Sequence, residues 1–353
     1  MKSLGSQFPR LRQALPRISL TKLPSPLTPA PDLAARVGLQ RLWIKRDDLS
    51  ADLYGGNKVR KLEYLIADAI QSGSDAVITF GAIGSNHALA TSIYAHSQRL
   101  KCYAVLIDQK QTPSLAATLR YHARLGTALI YADTFGQAVK AGQETVANHP
   151  TGGDRVYYVP WGGSSWLGTV GFVEAALELT GQFDADEFPE KIYLACGTWG
   201  TAAGLALGLR LANMPTRIIA VRVVPGRMNN HEKFISLFEE LNSELHERDS
   251  SFPLFQDALA NVEIREEFLG TGYAEPTAAC LEAVELIGKT EELKLDTTYT
   301  GKALGALIKD ARDSNTNGQR VLFWNTYNGR PYPDDLDKIT IEDIPTAFRR
   351  YLK

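Results

Sequence analysis

The sequence predicts an α/β protein in which mostly parallel sheet is flanked by helices on both faces. Two observations predict it. Short runs rich in β-branched and aromatic residues alternate with helical apolar periods, and glycine-rich turns stand where strand passes to helix. At 353 residues the chain is long enough for two domains and a large buried core.

In chain order the spacing predicts strands over 42–45, 77–81, 103–107, 129–131, 156–160, 192–196, 218–224 and 321–324. Near-continuous apolar runs suit strands buried on both sides. Leu62, Leu65, Ile66, Ala69 and Ile70 recur on one face of a helix, and the segment after Ser85 has the same period. So do residues 115–125, 167–179, 201–211 and 302–311. The stretch 242–251 is charged and turn-rich and reads as a solvated helix end plus loop. There is no internal repeat or low-complexity tract, and no linker marks a domain boundary.

Composition narrows the function. A hydrophobic share of 44% and a charged share of 22% are ordinary for a globular protein. Lys plus Arg (38) nearly balances Asp plus Glu (40), so no large field recruits nucleic acid or an anionic membrane. Cys102, Cys196 and Cys280 are odd in number and far apart, which suits small buried side chains in a reducing compartment. The six histidines form no HxxxH or HExxH, so no metal site is expected. Arg10, Arg12 and Arg17 with Pro9 and Pro16 leave the N-terminus without the apolar centre of a secretory signal. No stretch approaches the ~18 apolar residues of a membrane helix. The expected address is the cytoplasm.

Four loop segments carry chemistry, each at a strand end or a helix start, where open α/β sheets bind ligands. The first is Gly55-Gly56-Asn57-Lys58-Val59-Arg60-Lys61. Lysine just inside a helix N-terminus opposes the dipole, unless an anionic phosphate lies nearby or the amine is neutralised as an imine. The same residues also read as a solvated surface helix. The second, Gly84-Ser85-Asn86-His87, offers Ser85 as an N-cap and amides for a carboxylate; it also reads as a plain capping turn. In the third, Gly197-Thr198-Trp199-Gly200-Thr201-Ala202-Ala203-Gly204, glycines and hydroxyls at a helix start suit a phosphate as well as close packing. The last set is Tyr299-Thr300-Gly301-Lys302, Trp324-Asn325-Thr326-Tyr327-Asn328-Gly329, and Tyr273 within Gly272-Tyr273-Ala274-Glu275. Its tyrosines read either as proton-exchanging groups or as packed aromatics.

Together these segments resemble the D-cysteine desulfhydrase and 1-aminocyclopropane-1-carboxylate (ACC) deaminase family of pyridoxal 5′-phosphate (PLP) enzymes, which has the tryptophan synthase β-subunit-like fold. The resemblance runs from residues 23–29 and 42–49 through GGNKVRKLE (55–63), GAIGSNHALAT (81–91), VPWGGSS (159–165) and GTWGTAAG (197–204) to YTGKALGALI (299–308). It implies two domains, each with an open twisted sheet: a larger, discontinuous PLP-binding domain of residues 1–64 and 171–353 and a smaller one of 65–170, with the active site in the cleft between them. It implies Lys58 as the Schiff-base lysine and Lys61 as a phosphate contact. Gly197, Thr198, Trp199, Gly200 and Thr201 match the phosphate loop. Ser85, Asn86 and His87 match the segment for the substrate carboxylate, with Asn86 also near the cofactor. Tyr273 and Tyr299 match active-site tyrosines, and Thr300 and Thr326 match hydroxyls near the pyridine nitrogen. A homodimer is implied as well.

The chain departs from the family pattern in places. Gly84 stands where members often have Gln, Trp199 where a small residue is common, and Asn325-Thr326-Tyr327-Asn328 where His-Thr-Gly-Gly is usual. Trp161 and Trp199 are expected to narrow or reshape the pocket. Members that open ACC are similar to one another in placing Glu at the position of Thr300, where a carboxylate holds the pyridine nitrogen protonated. A neutral hydroxyl gives a weaker electron sink, which suits expulsion of a good leaving group better than ring opening. The expected reaction is therefore β-elimination of D-cysteine, or a close small D-amino acid, to pyruvate, ammonia and hydrogen sulfide. ACC deamination to 2-oxobutyrate, a D-amino-acid dehydratase or racemase, and a PLP-carrying binding protein with little turnover are the alternatives.

Overall fold

The structure is a computed structural model describing residues 3–184, 186–226, 229–313, 316 and 318–352. Among the described residues its strands are β1 (Leu27–Pro29), β2 (Arg41–Arg46), β3 (Ala76–Ala82), β4 (Lys101–Ile107), β5 (Ala128–Ala132), β6 (Val156–Tyr158), β7 (Lys191–Cys196), β8 (Arg217–Arg222), β9 (Val262–Arg265) and β10 (Arg320–Asn325). Its α-helices are α1 (Leu4–Gln7), α2 (Pro9–Ala14), α3 (Pro31–Val37), α4 (Lys58–Gln71), α5 (Asn86–Ser97), α6 (Leu115–Arg124), α7 (Phe135–Ala147), α8 (Trp166–Thr180), α9 (Gly200–Leu211), α10 (His231–Arg248), α11 (Ala278–Thr290) and α12 (Thr300–Arg312). None is long and apolar enough to cross a membrane. The protein is α/β, with two mostly parallel sheets flanked by helices.

The chain forms two compact units: Met1–Leu15, Thr21–Lys61 and Ser164–Gly329 in one, Pro16–Leu20, Leu62–Gly163 and Arg330–Lys353 in the other. The first holds a six-stranded sheet in the order β1-β2-β10-β7-β8-β9, parallel except for the antiparallel β1–β2 edge. Ile44, Tyr193, Ile219 and Phe323 pack with Leu33, Leu304 and Ile308 in one of its cores. Three adjacent strands, β2, β10 and β7, therefore end side by side at Asp47, Thr326 and Gly197. That is the edge at which a parallel sheet presents loops to a ligand.

The second unit holds a parallel sheet in the order β5-β4-β3-β6. Arg330–Lys353 belongs here, where the sequence reading assigned it to the larger domain. Ile344, Phe348 and Tyr351 are buried against Leu106, Leu115 and Leu119, and that burial draws the segment across. The stretch 242–251 is also different from its reading. Helix α10 continues to Arg248 with Asn242 and Leu245 inside, and Asn242 Nδ2 donates to the Phe255 carbonyl. Strands β1 and β9 had no apolar run to announce them. β1 has three residues, and β9, an edge strand, carries Glu263 and Arg265.

Candidate active site

The lysine loop begins with a backbone constraint. Gly56 has φ +91°, and a Cβ there would lie 2.9 Å from the Thr326 carbonyl oxygen. Its N–H donates to the Asp47 carbonyl at 2.7 Å, and the N–H of Asn57 donates to the Thr326 carbonyl at 3.2 Å. Glycine is needed because the chain is pinned between two strand ends in a left-handed conformation. Asn328 completes the clamp: its Oδ1 accepts from Gly55 N–H at 2.7 Å. The residue that departs from the family pattern thus holds the loop.

A buried ion cluster anchors the loop from behind. Arg60 donates through Nε and Nη2 to Asp47, at 3.0 and 2.7 Å, and through Nη1 to Glu178 at 2.9 Å. Lys45 reaches Glu178 at 2.5 Å, and Trp324 Nε1 donates to Asp47 at 2.8 Å. Burial by itself would raise Glu178, but Arg60 and Lys45 hold it down to about 2. Such a cluster keeps its geometry because leaving any member unpaired in the interior is expensive.

Lys58 opens α4, and its Nζ donates to Asn57 Oδ1 at 3.0 Å. Asn57 Nδ2 donates in turn to Thr201 Oγ1 at 2.9 Å, which ties the lysine to the start of α9. Burial pushes the Lys58 amine down to about 8. A group so shifted loses its proton far more readily than an ordinary lysine and is neutral and nucleophilic above about pH 8.

Lys61 lies one turn along, buried, with Nζ donating to Ser164 Oγ at 2.9 Å. Ser164 Oγ also accepts from Gly200 N–H at 3.3 Å and lies 2.7 Å from Thr198 Oγ1. Thr169 Oγ1 is buried beside them with no hydrogen-bond partner. A Cβ built on Gly200 would come within 2.6 Å of both Lys61 Nζ and Ser164 Oγ and 3.0 Å of Thr169 Oγ1, so the glycine keeps this cradle open. Burial, then the nearby positive charge of Lys58, pushes Lys61 well below the usual lysine range. A cation, three hydroxyls and the amides at the start of a twelve-residue helix fit a phosphate dianion, which would relieve both effects.

Trp199 does not narrow this site as expected. Its backbone is left-handed (φ +62°), and its buried indole is turned outward, with Nε1 donating to the Asn230 carbonyl at 2.9 Å and the ring edge-on to Phe234. The apolar slot against α10 captures the ring. Gly197 accepts from Asn229 Nδ2 at 2.7 Å, and Tyr299 Cε1 lies 3.4 Å from where a Gly197 Cβ would be. Tyr273 and Tyr299 bring their hydroxyl oxygens to 2.6 Å. Burial raises both. Their mutual bond works against the shift at Tyr273, which reaches about 12, and with it at Tyr299, which goes well above the usual range. Thr300 Oγ1 donates to Asp296 Oδ1 at 2.6 Å.

The first unit thus brings together Lys58, Lys61, Gly197, Thr198, Gly200, Thr201, Tyr273, Tyr299, Thr300 and Thr326 at neighbouring strand ends and helix starts. Ser85, Asn86 and His87 lie in the second unit, after β3. Ser85 Oγ accepts from Ala88 N–H at 3.2 Å and caps α5. The imidazole of His87 is buried, its Nε2 3.0 Å from the Pro160 carbonyl and 3.2 Å from Thr79 Oγ1, so this nitrogen joins α5 to the sheet. Trp161 stacks on Phe135 and packs near Phe80, on the α7 side of the sheet; Thr79 and His87 lie on the other side. Thr79 and Phe80 face opposite ways because successive strand residues do.

Sequence reasoning missed Asn57, Ser164, Thr169 and Asp296 as site residues. Asn57 and Ser164 stood inside quoted motifs, and Asp296 gave a signal as an acid just before a helix start. Thr169 gave none.

Comparisons with known proteins agree with this geometry. A family profile described as pyridoxal-phosphate dependent enzyme matches residues 18–326. A D-cysteine desulfhydrase of Salmonella newport (strain SL254) is 33% identical over 326 residues, covering 90% of this chain and 94% of the relative. A solved structure described as an ACC deaminase homologue superposes with a TM-score of 0.81 at 29% identity, covering 96% of this chain and 98% of its own. The processed form of threonine deaminase isoform 2 from Solanum lycopersicum, at 16% identity and a TM-score of 0.62, covers 95% of this chain and 92% of its own and shares the fold. With the lysine loop, the phosphate cradle and this match in hand, the chain belongs to the pyridoxal-phosphate dependent enzyme family.

Proposed function

We propose that this PLP-dependent lyase catalyses β-elimination of D-cysteine, or a close small D-amino acid, to pyruvate, ammonia and hydrogen sulfide. The observation that carries the reading is the Tyr273–Tyr299 hydroxyl pair, which adjoins the phosphate loop and has a proton to give to a leaving sulfur. The 33% identical D-cysteine desulfhydrase supports it.

Bound covalently through Lys58, PLP supplies the conjugated electron sink on which bonds at the substrate Cα become labile. Lys61, Ser164, Thr198, Thr201 and the amides at the start of α9 would hold its phosphate. Once the substrate amine has replaced it, Lys58 is the base that takes the Cα proton at Nζ, and Asn57 Oδ1 sets the direction of that amine. Tyr273 Oη, hydrogen-bonded to Tyr299 Oη, delivers its proton to the departing thiolate. The amides at the capped start of α5, from Ser85, Asn86 and His87, receive the substrate carboxylate. His87 contributes through its backbone. By the family resemblance, Thr300 and Thr326 would supply the hydroxyls at the pyridine nitrogen. From the family resemblance we also infer a cytoplasmic homodimer, which sedimentation of the purified protein checks.

The second reading is ACC deamination, favoured by the ACC deaminase homologue at 29% identity. Incubating the holoenzyme with D-cysteine, L-cysteine, D-serine and ACC, and scoring sulfide, pyruvate and 2-oxobutyrate, separates the two. Sulfide and pyruvate from D-cysteine are expected. Multiple turnover of ACC to 2-oxobutyrate without sulfide from D-cysteine would reverse the assignment.

A further inference from the structure

Lys302, in the first turn of α12, is a buried amine with no role in the function described so far. It is 1% exposed. Its Nζ donates to the Leu269 carbonyl at 2.6 Å and to the Gly272 carbonyl at 3.3 Å, 33 and 30 residues earlier in the chain. Both acceptors are main-chain oxygens rather than acids, and both lie just before Tyr273. Taking a lysine out of water is costly unless its protons are received, so this amine cannot release the two carbonyls without being stranded.

The loop that receives it, residues 266–277 between β9 and α11, needs an outside anchor. Glu267, Gly270, Thr271 and Pro276 are exposed, and Gly270 and Ala274 are left-handed, with φ +72° and +60°. Main-chain bonds within the loop are long: 3.4 Å from Leu269 N–H to the Glu266 carbonyl, and 3.4 Å from Glu275 N–H to that of Gly272. Thr271 Oγ1 donates to Glu275 Oε2 at 2.9 Å and closes a turn with Tyr273 at its centre. Phe268 fixes the β9 end of the loop in the core. Exposed, weakly bonded segments of this kind open locally at small cost, and Lys302 opposes that opening beside Tyr273. Tyr299 stands three residues before Lys302. The start of α12 therefore meets this loop twice: phenol to phenol at 2.6 Å, and amine to the carbonyl of the residue preceding Tyr273.

We propose that Lys302 is a positioning residue that clamps the main chain at 269–272 onto α12 and so sets where the phenol of Tyr273 meets the leaving group. This rests on the proton-donor role given to Tyr273 in the proposed function. Its consequence is a selectivity between leaving groups. When the C–S bond of D-cysteine breaks, the electron pair goes to sulfur and the Tyr273 proton follows it. When the C–Cl bond of β-chloro-D-alanine breaks, chloride carries the pair away and takes no proton. Loosening the clamp therefore penalises sulfur and spares chloride.

The decisive substitution is Lys302→Met, which keeps most of the apolar stem and removes the donor. Its kcat for sulfide release from D-cysteine should fall about tenfold, the scale of a misplaced catalytic group, while KM and the kcat for β-chloro-D-alanine change by no more than about twofold. In a Tyr273→Phe background the same change should add no further loss on D-cysteine, because the group it positions is gone. Hydrogen exchange gives a readout without turnover. Residues 269–275 should exchange about tenfold faster in Lys302→Met, with or without PLP, while α12 exchanges as in wild type. Lys302→Gln, whose amide keeps donors on a shorter stem, should show a smaller loss with the same preference, and it decides the matter should Lys302→Met not fold. Equal losses on the two substrates, a loss that persists in the Tyr273→Phe background, or unchanged exchange at 269–275 would overturn the inference and leave the proposed function standing. A Tyr273→Phe enzyme that releases sulfide at the wild-type rate would overturn the proton donor and this inference together. A wild type that releases no sulfide from D-cysteine would overturn the proposed function, while the exchange rates still decide whether Lys302 clamps the loop.

Discussion

Tyr273 and Tyr299 hold their phenol oxygens 2.6 Å apart, with their rings edge to face at 6.0 Å. The proposed function gives the two different tasks, Tyr273 as proton donor to sulfur and Tyr299 as its support. Tyr273→Phe should cut sulfide release from D-cysteine roughly 10²- to 10⁴-fold, the range for loss of a proton-transfer group. Tyr299→Phe removes only a supporting bond and should cost about fivefold. Steady-state kcat on the two variants checks the order; equal losses would remove the assignment of Tyr273 as the proton donor.

Attachment of the cofactor should follow the ionisation of Lys58. Below its value of about 8 the amine carries a proton and has no lone pair to attack an aldehyde; above it the amine is free. The rate at which apoprotein takes up PLP should therefore rise with pH and level off above about 8, followed by absorbance in stopped flow. Lys58→Ala should take up none covalently, and borohydride reduction with peptide mapping should label residues 57–59 in wild type alone.

The phosphate cradle predicts a graded loss of cofactor affinity. Ser164→Ala removes the oxygen shared by Lys61, Thr198 and Gly200 and should weaken PLP binding about five- to tenfold. Gly200→Ala forces a methyl against Lys61 and Ser164, an overpacking of about 1–3 kcal/mol, so it should weaken binding roughly five- to a hundredfold. Equilibrium titration of the apoproteins measures both.

Acid should unfold the first unit through its ion cluster. Glu178 is held below its ordinary 4.5, so its contribution is complete above pH 4.5 and is lost as pH falls toward about 2. Arg60→Met leaves Asp47 and Glu178 facing each other without their shared cation and should destabilise by about 3–5 kcal/mol. Thermal melts at neutral and acidic pH test this: wild type should lose stability on acidification, and the variant should lose less because its carboxylates gain from protonation.

Much of the sheet was legible because period and β-branching are local properties. The runs at 77–81 and 192–196 sit inside β3 and β7, and the turns that follow them carry the helix starts of α5 and α9. What was not legible depends on partners far along the chain. Ser164 meets Lys61 across 103 residues, and nothing in the spacing of either announces it. The aim of a side chain was also hidden. Trp199 is expected to narrow or reshape the pocket, but its ring lies in an apolar slot beside Phe234. Phe348 and Tyr351 look like ordinary tail residues until the apolar surface of α6 is in place to receive them.

The outward-turned indole of Trp199 has a consequence for how this loop tolerates substitution. A left-handed backbone at a residue bearing a Cβ costs about 1–2 kcal/mol, and here the ring's seat beneath Asn230 and Phe234 offsets it. The loop and the far helix are therefore energetically coupled. Grafting residues 197–204 alone into a homologue would import the distortion without its tether. Drift at Phe234, which meets no reacting atom, would be felt as looser retention of the coenzyme.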